Sequence, residues 1–272
     1  MTLDEDSPEG WPGHLPTSVR LEPIGGGWVA RTQLATLVDG TRVVVKDCPY
    51  AAVIEADGLT ALREAGVPVP DVLSATGHRL ILEYVTGKPD WAGLGAAIAR
   101  MHRATGPHYG WRIDNRAGRF VQPNTPSEHW PTFFAENRVR THLDDPTVPD
   151  EVRRRLHRAC DGPLLTMLPD HPTPSLTHGD LWVGNTVDGR WVIDPEVSFT
   201  DRELDLTHML GASSNPFPPE FWDAYTSEWP VPDDFDERRR VLGLHHRLLG
   251  VRHFGERSIP ALVADLDALG LP

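Results

Sequence analysis

The 272-residue chain is poor in cysteine, in lysine and in long apolar runs. Its two cysteines, Cys48 and Cys160, lack C-x-x-C spacing, which excludes a disulfide framework and a cysteine-based zinc site. The histidines offer no H-x3-H pair and no cysteine partner, so no zinc is expected from them either. No apolar run approaches the ~20 residues that cross a bilayer, and a membrane partner is not expected. The opening MTLDEDSPEG is acidic and lacks the apolar stretch of a secretory leader, so the expected location is cytoplasmic. Positive charge is scarce too: 26 Lys and Arg face 39 Asp and Glu, a formal net charge of −13. A nucleic-acid partner is therefore not expected, because its footprint would be basic. Only two of the basic residues are lysines, Lys46 and Lys88. Arginine serves wherever a generic cation is wanted, so each lysine invites a reason, with chance as the plain alternative.

What is present is an ordinary globular composition, 39% hydrophobic and 24% charged, in a length that permits one large domain or two lobes. Residues 1–15 are rich in Pro, Gly and acids and are expected to fray. The segments SVRLEPI, WVARTQLATLV and TRVVVKD read as strands. Gly25-Gly26-Gly27 separates the first two; Asp39-Gly40, a two-residue turn signal, separates the others. A helix over AAVIEADGLTALREAG ends at Gly66, and RLILEYV is a further strand. From Asp90 the periodicity becomes helical, with helices expected in DWAGLGAAIARMHRAT and near 127–143, 149–168, 202–211, 218–229 and 235–254. This is an α+β layout with two lobes: a small antiparallel sheet with one helix over 16–86, and a larger, mainly helical lobe over 87–272.

The polar residues of SLTHGDLWVGNTVDGRWVIDPE, 175–196, interrupt that helical half. A two-residue turn at Asp188-Gly189 would pair Asn185 with Val192 and put Asp194 on the face of Asn185, roughly 7–8 Å away. Two such oxygens suit Mg²⁺, which takes one or two protein ligands plus phosphate and water. Asp180 lies outside the hairpin, free to meet a substrate hydroxyl. Alone, D-x4-N is more often turn chemistry than catalysis. In the first half, Lys46 ends the apolar strand VVVK, where a charge needs a partner or a function. Glu55, Leu59 and Leu62 share a helix stripe, so Glu55 faces inward with Lys46 as its nearest partner in sequence. The alternative is an exposed acid in the first helical turn. Gly25–Gly27 would let backbone amides approach a phosphate, or simply form a tight connection.

The ordered set of Gly-rich loop, strand Lys, helix Glu, H-G-D-x4-N and I-D-P resembles the protein-kinase-like phosphotransferases, within them the aminoglycoside phosphotransferase and choline kinase group. HGD stands where protein kinases have H-R-D, and IDP where they have D-F-G. THGDLWVGN, with Trp182 after H-G-D-L, looks like the fructosamine kinase family, as do YGWRIDNRAG, VQPN, W-x2-FFAENRV, DRELDL and HHRLLGVRHFG. The resemblance implies ATP- and Mg²⁺-dependent phosphorylation of a sugar hydroxyl on a free or protein-bound ketosamine, a deglycation repair; a monomer is expected. It places Lys46 on the α/β phosphates, paired with Glu55. Gly25, Gly26 and Gly27 would cover the phosphates, and the backbone of Glu83, Tyr84 and Val85 would meet adenine. Asp180 would orient the hydroxyl or take its proton, Asn185 and Asp194 would bind Mg²⁺, and His178 would brace the loop. Trp182 and Trp111, with Trp130, are candidates for a sugar pocket or for core. The rival readings are an aminoglycoside, choline or homoserine-like phosphotransferase, a pseudokinase used as a binding module, or a structural protein without nucleotide.

Overall fold

The computed structural model describes residues 11–16, 18–25, 29–211 and 216–271. β1 (Ser18–Pro23), β2 (Arg31–Leu37), β3 (Arg42–Asp47), β4 (Val72–Thr76) and β5 (Arg79–Glu83) form one antiparallel sheet in the order β1-β2-β3-β5-β4. Strand alternation divides its apolar residues between two faces. Ala35, Leu37, Val43, Val45 and Ile81 bury one face beneath Trp11, Leu15 and Leu73. Leu80 and Leu82 bury the other against Leu59 and Leu62 of α1 (Val53–Glu64). That core runs on into Leu94, Ile98 and Met101 of α2 (Trp91–Arg103). α1 ends as the sequence predicts. Gly66 is left-handed (φ 83°), its N–H donates to Arg63 O at 2.9 Å, and Val67 N–H donates to Leu62 O at 3.0 Å. This pair of bonds is the Schellman stop.

The remainder is mainly helical: α3 (Trp130–Phe134), α4 (Asp150–Cys160), α5 (Pro163–Thr166), α6 (Glu203–Gly211), α7 (Pro219–Glu228), α8 (Phe235–Phe254) and α9 (Ile259–Ala268). Short antiparallel pairs interrupt them: β6 (Asn115–Ala117) with β7 (Phe120–Gln122), β8 (Ser175–Thr177) with β11 (Ser198–Thr200), and β9 (Thr186–Val187) with β10 (Trp191–Val192). A second core gathers Trp130, Phe133, Phe134, Leu156, Leu244, Leu248 and Leu262. Gly95 of α2 sits against α7 so closely that a Cβ would fall 2.2 Å from Phe221 O.

Several expectations change. The frayed segment does not extend to residue 15. Trp11 and Leu15 pack on the sheet, and Trp11 Nε1 donates to Pro16 O at 3.0 Å. The β2–β3 turn is not a two-residue loop. Gly40 N–H donates to Leu37 O (2.9 Å) and Leu37 N–H to Thr41 O (2.8 Å), enclosing three residues with Gly40 left-handed. The helix expected over 127–143 breaks into α3, a π-turn over Ala135–Val139 and a 3₁₀ turn over Arg140–His142. There Arg138 is buried and reaches Pro123 O at 2.8 Å, Asn124 Oδ1 at 2.7 Å and Ser198 Oγ at 3.0 Å. The helix expected over 149–168 is two, since Pro163 has no N–H with which to continue a helix across Asp161-Gly162. α9 was not anticipated.

Candidate active site

The β8–β11 ladder pairs Thr177 with Ser198 and so brings together the two ends of the loop that carries most of the polar residues. Asp205, fully buried on α6, holds its start. His178 N–H donates to Asp205 Oδ2 at 2.7 Å and Gly179 N–H to Oδ1 at 2.9 Å. Asp205 also meets His102 Nε2 at 3.2 Å, and His102 Nδ1 meets Tyr225 Oη at 2.8 Å. Burial pushes the Asp205 carboxyl up, but these bonds and His102 outweigh it and hold it below the usual carboxylate value. Gly179 is left-handed (φ 89°), and a Cβ there would lie 2.5 Å from Glu196 O, so only glycine fits.

His178 faces inward. Its Nδ1 accepts from Asp180 N–H at 3.2 Å, which leaves the proton on Nε2, donated to Ile193 O at 3.1 Å. Burial keeps this imidazole below its ordinary value and neutral. Asp180 follows, its side chain 35% exposed. Asn185 Nδ2 donates to Asp180 O and Oδ2, both at 2.8 Å.

Asn185 and Asp194 do not share the predicted strand register. Arg190 N–H does close a turn on Val187 O (3.1 Å), with Asp188 and Gly189 left-handed. The ladder then resumes with Trp191 opposite Val187 and Val192 opposite Thr186, so Arg190 is an extra, bulged residue. Asn185 closes a 3₁₀ turn over Val183–Asn185, and its carbonyl accepts from Ile193 N–H at 3.0 Å instead of facing Val192. Asp194 has φ 57° and leaves the strand. The structure thus joins Asn185 to Asp180, and Asp194 to Lys46.

Lys46 is 8% exposed on β3, and Glu55 of α1 is 3% exposed. Lys46 Nζ donates to Glu55 Oε1 at 2.6 Å and to Asp194 Oδ1. One ammonium therefore ties the sheet, α1 and the 178–197 loop together. Burial disfavours that ammonium, but Glu55 and Asp194 outweigh burial and raise Lys46 above its usual value. Burial pushes the Glu55 carboxyl upward, against the pull of Lys46.

β5 ends at Glu83, whose N–H donates to Asp71 O at 2.9 Å. Tyr84 and Val85 follow β5 as irregular backbone, Tyr84 beneath the Arg42 guanidinium. Gly25 has open space around it; Gly26 and Gly27 lie outside the described residues. Trp182 folds over Gly184, where a Cβ would lie 2.2 Å from its ring. Trp111 is turned elsewhere. It is 7% exposed, packs on Phe199 and donates its Nε1–H to Asp57 Oδ2 of α1 at 2.7 Å. Arg112 Nε meets the other oxygen of Asp57 at 2.8 Å. Trp130 is core, 0% exposed. Both cysteines are free and buried, and burial pushes each thiol up to about 11, which leaves them unreactive.

Four residues escaped sequence reasoning: Asp57, Glu196, Asp205 and His208. Glu196 packs against Gly179 and accepts from Gly118 N–H at 3.1 Å. Asp205 sits on a helix buried nearly all round, where no apolar stripe marks an inward acid. The available signal was an acid, Asp205, flanked by Leu204 and Leu206 with no lysine near it.

The fructosamine kinase family model matches residues 21–269. The "probable ketoamine kinase" YniA of Escherichia coli K12 is 35% identical over 79% of this chain and 79% of its own. A "probable ketoamine kinase" of Thermus thermophilus is 32% identical over 90% of this chain and 92% of its own. The solved structure described as "putative fructosamine-3-kinase" from Thermobifida fusca superposes with a TM-score of 0.82 at 30% identity, covering 93% of this chain and 94% of that one. An aminoglycoside phosphotransferase solved with AMP-PNP and hygromycin B shares the fold at a TM-score of 0.59 and 16% identity. A match from the first strand to the last helix, in sequence and in backbone alike, places this chain in the fructosamine kinase family.

Proposed function

We propose that the protein transfers the γ-phosphoryl group of ATP to a sugar hydroxyl of a ketosamine. The observation that carries this reading is the Lys46 ammonium held between Glu55 and Asp194. Phosphoryl transfer asks for positioning and charge neutralisation more than for covalent chemistry. Lys46, fixed by two carboxylates, is a compact cation for the α/β phosphates, and the small number of lysines in an arginine-rich chain fits that use. Gly25–Gly27 cover the phosphates. The backbone at Glu83, Tyr84 and Val85, where β5 ends, receives the adenine edge. The boundary between the lobes falls there, with residues 16–86 on one side and 87–272 on the other.

Asp180 holds the acceptor hydroxyl in line and takes its proton as the phosphorus–oxygen bond forms. His178, neutral and bonded at both nitrogens, braces the loop. Trp182, half-buried over Gly184, offers a ring face to the sugar. The donor set fits Mg²⁺. Asn185 Nδ2 is engaged by Asp180, which leaves its Oδ1, and Asp194 Oδ1 is engaged by Lys46, which leaves its Oδ2. Among the described residues no three His, Cys, Asp or Glu side chains form a metal cage, so the remaining ligands would come from phosphate and water. When bound, the ion would neutralise charge on the triphosphate. No helix among the described residues is long and apolar enough to cross a membrane.

The test is ATP consumption with fructosyl-lysine, ribulosyl-lysine, kanamycin and choline. Turnover with a ketosamine supports the reading; turnover with kanamycin or choline and no ketosamine rejects it. Asp180→Asn is expected to abolish transfer and keep nucleotide binding.

A further inference from the structure

Asp180 has a contact that its proposed role leaves unused. His208 Nε2, on α6, lies 2.8 Å from Asp180 Oδ1, while Oδ2 is held by Asn185. The carboxylate is gripped from two sides and open on the rest. His208 Nε2 is closed off from solvent. Its contact with Oδ1 is one of proximity, short of an aligned hydrogen bond, and among the described residues it is the one polar partner that nitrogen has. A buried ring nitrogen facing one carboxylate and nothing else calls for a use.

The ring cannot drift freely. It stacks on His246 of α8 with centroids 3.9 Å apart and planes at 17°. Both ring nitrogens of His246 are themselves buried without a well-formed hydrogen bond. Burial, then the neighbouring His208, hold His246 down to about 3, so it is a neutral, flat backing. α6 also carries Asp205, which fixes the backbone of His178 and Gly179. One helix therefore anchors both the main chain before Asp180 and its carboxylate.

We propose that His208 is a positioning residue for Asp180: backed by His246, it presents Nε2 to Oδ1 and, with Asn185 on Oδ2, sets the plane of the carboxylate toward the acceptor hydroxyl. Catalytic hydrogen bonds are often misaligned before substrate binds and tighten in the reacting complex, so the 2.8 Å contact becomes a true bond when the hydroxyl draws Asp180 into line. The inference rests on the reading of Asp180 given above.

The experiment compares steady-state kinetics of wild type, His208→Met, His208→Gln and Asp180→Asn with Mg-ATP and fructosyl-lysine, with thermal melts as a folding check. Met fills the volume without a donor; Gln places an N–H₂ where Nε2 was. A hydrogen bond to a charged group sets the scale: His208→Met should lower kcat about 10- to 100-fold, with KM for ATP within about twofold. His208→Gln should return to within about fivefold of wild type. Ring ¹⁵N resonances of His208 should move in Asp180→Asn. A wild-type kcat in His208→Met, a Gln variant as poor as Met, or unmoved ring resonances each overturn the inference. If His208→Met does not fold, the Gln variant and the resonances decide. Full activity in Asp180→Asn, or no ketosamine turnover by wild type, would instead sink the reading on which this rests.

Discussion

Replacing Glu55 gives the sharpest check on the ammonium at the centre of the site. Glu55→Ala leaves Lys46 buried with one anion, Asp194, whose side chain is 39% exposed and screened by solvent. Breaking one partner of a buried pair costs about 3–5 kcal/mol, and the surviving Asp194 contact reduces the expected loss to about 2–3 kcal/mol. Glu55→Gln is milder. Its amide oxygen still accepts from Lys46 and the buried carboxylate no longer has to be desolvated, so the stability change should stay below about 1.5 kcal/mol. Activity should separate from stability. With a neutral partner Lys46 is less firmly held for the phosphates, and losing the charge-assisted part of that bond, about 1.5–3 kcal/mol, should lower kcat/KM for ATP about 10- to 150-fold in both variants. Urea unfolding measures the first quantity and initial rates at varied ATP the second. An alanine variant with the wild-type urea midpoint and wild-type ATP kinetics would show that the 2.6 Å contact organises nothing.

Trp111→Phe removes the indole donor to Asp57 and should cost about 1–2 kcal/mol in urea unfolding, with KM for the ketosamine unchanged; a large rise in that KM would return Trp111 to the sugar pocket. Asp205→Asn places an amide N–H₂ against the backbone N–H groups of His178 and Gly179 and should destabilise by about 2–4 kcal/mol, read from urea midpoints. His142 is held down to about 3, by burial first and then by Arg252 and Arg138. Its unfolded form therefore binds a proton below about pH 6.5 that the folded form refuses, so its contribution is complete above pH 6.5 and is lost as pH falls toward 3. His142→Gln should flatten the acid limb relative to wild type by about 1.4 kcal/mol per pH unit in that window, and equal slopes would contradict the buried neutral imidazole. Mg-ATP at a hundredfold excess over Kd should stabilise the protein by about 2.7 kcal/mol, visible as a thermal shift; a flat result favours a protein that binds no nucleotide.

The fold was legible where local chemistry and tertiary structure agree. Gly66 ends α1 because its left-handed backbone cannot continue the helix, and Phe235–Phe254 runs as one helix because its apolar positions also fit the second core. The failures fall where a distant group overrides local preference. Periodicity ran through Ala135–Val139, yet Arg138 is bound to Pro123, Asn124 and Ser198, and the helix widens there into a π-turn. Both Asp-Gly turns were recognised, but neither hairpin has the simple two-residue register. The dipeptide signals left-handed backbone without saying whether the ladder absorbs an extra residue.

The same distinction governs the site. Lys46 and Glu55 were readable because each is a charge on an apolar stripe, a conflict visible within a few residues of chain. Asp194 was readable as a candidate but not as the partner of Lys46, since the two are 148 residues apart and meet through a left-handed turn at Asp194 itself. His208 and Asp205 were opaque, because α6 is buried on most sides and any residue on it looks equally interior. Their position nonetheless follows from a physical need. A loop that carries Asp180 into partial exposure cannot be held by apolar packing alone, because its first backbone N–H groups would be buried unpaired. A buried carboxylate on a rigid helix satisfies two of them at once, through His178 and Gly179. Once that helix is fixed for Asp205, His208 follows at the i+3 position on the same face and is delivered to Asp180 by the same rotation. Backbone anchoring and side-chain orientation at Asp180 are therefore one structural commitment. Loosening α6 at Asp205 should disturb the His208 contact, whereas His208→Met should leave the Asp205 bonds intact.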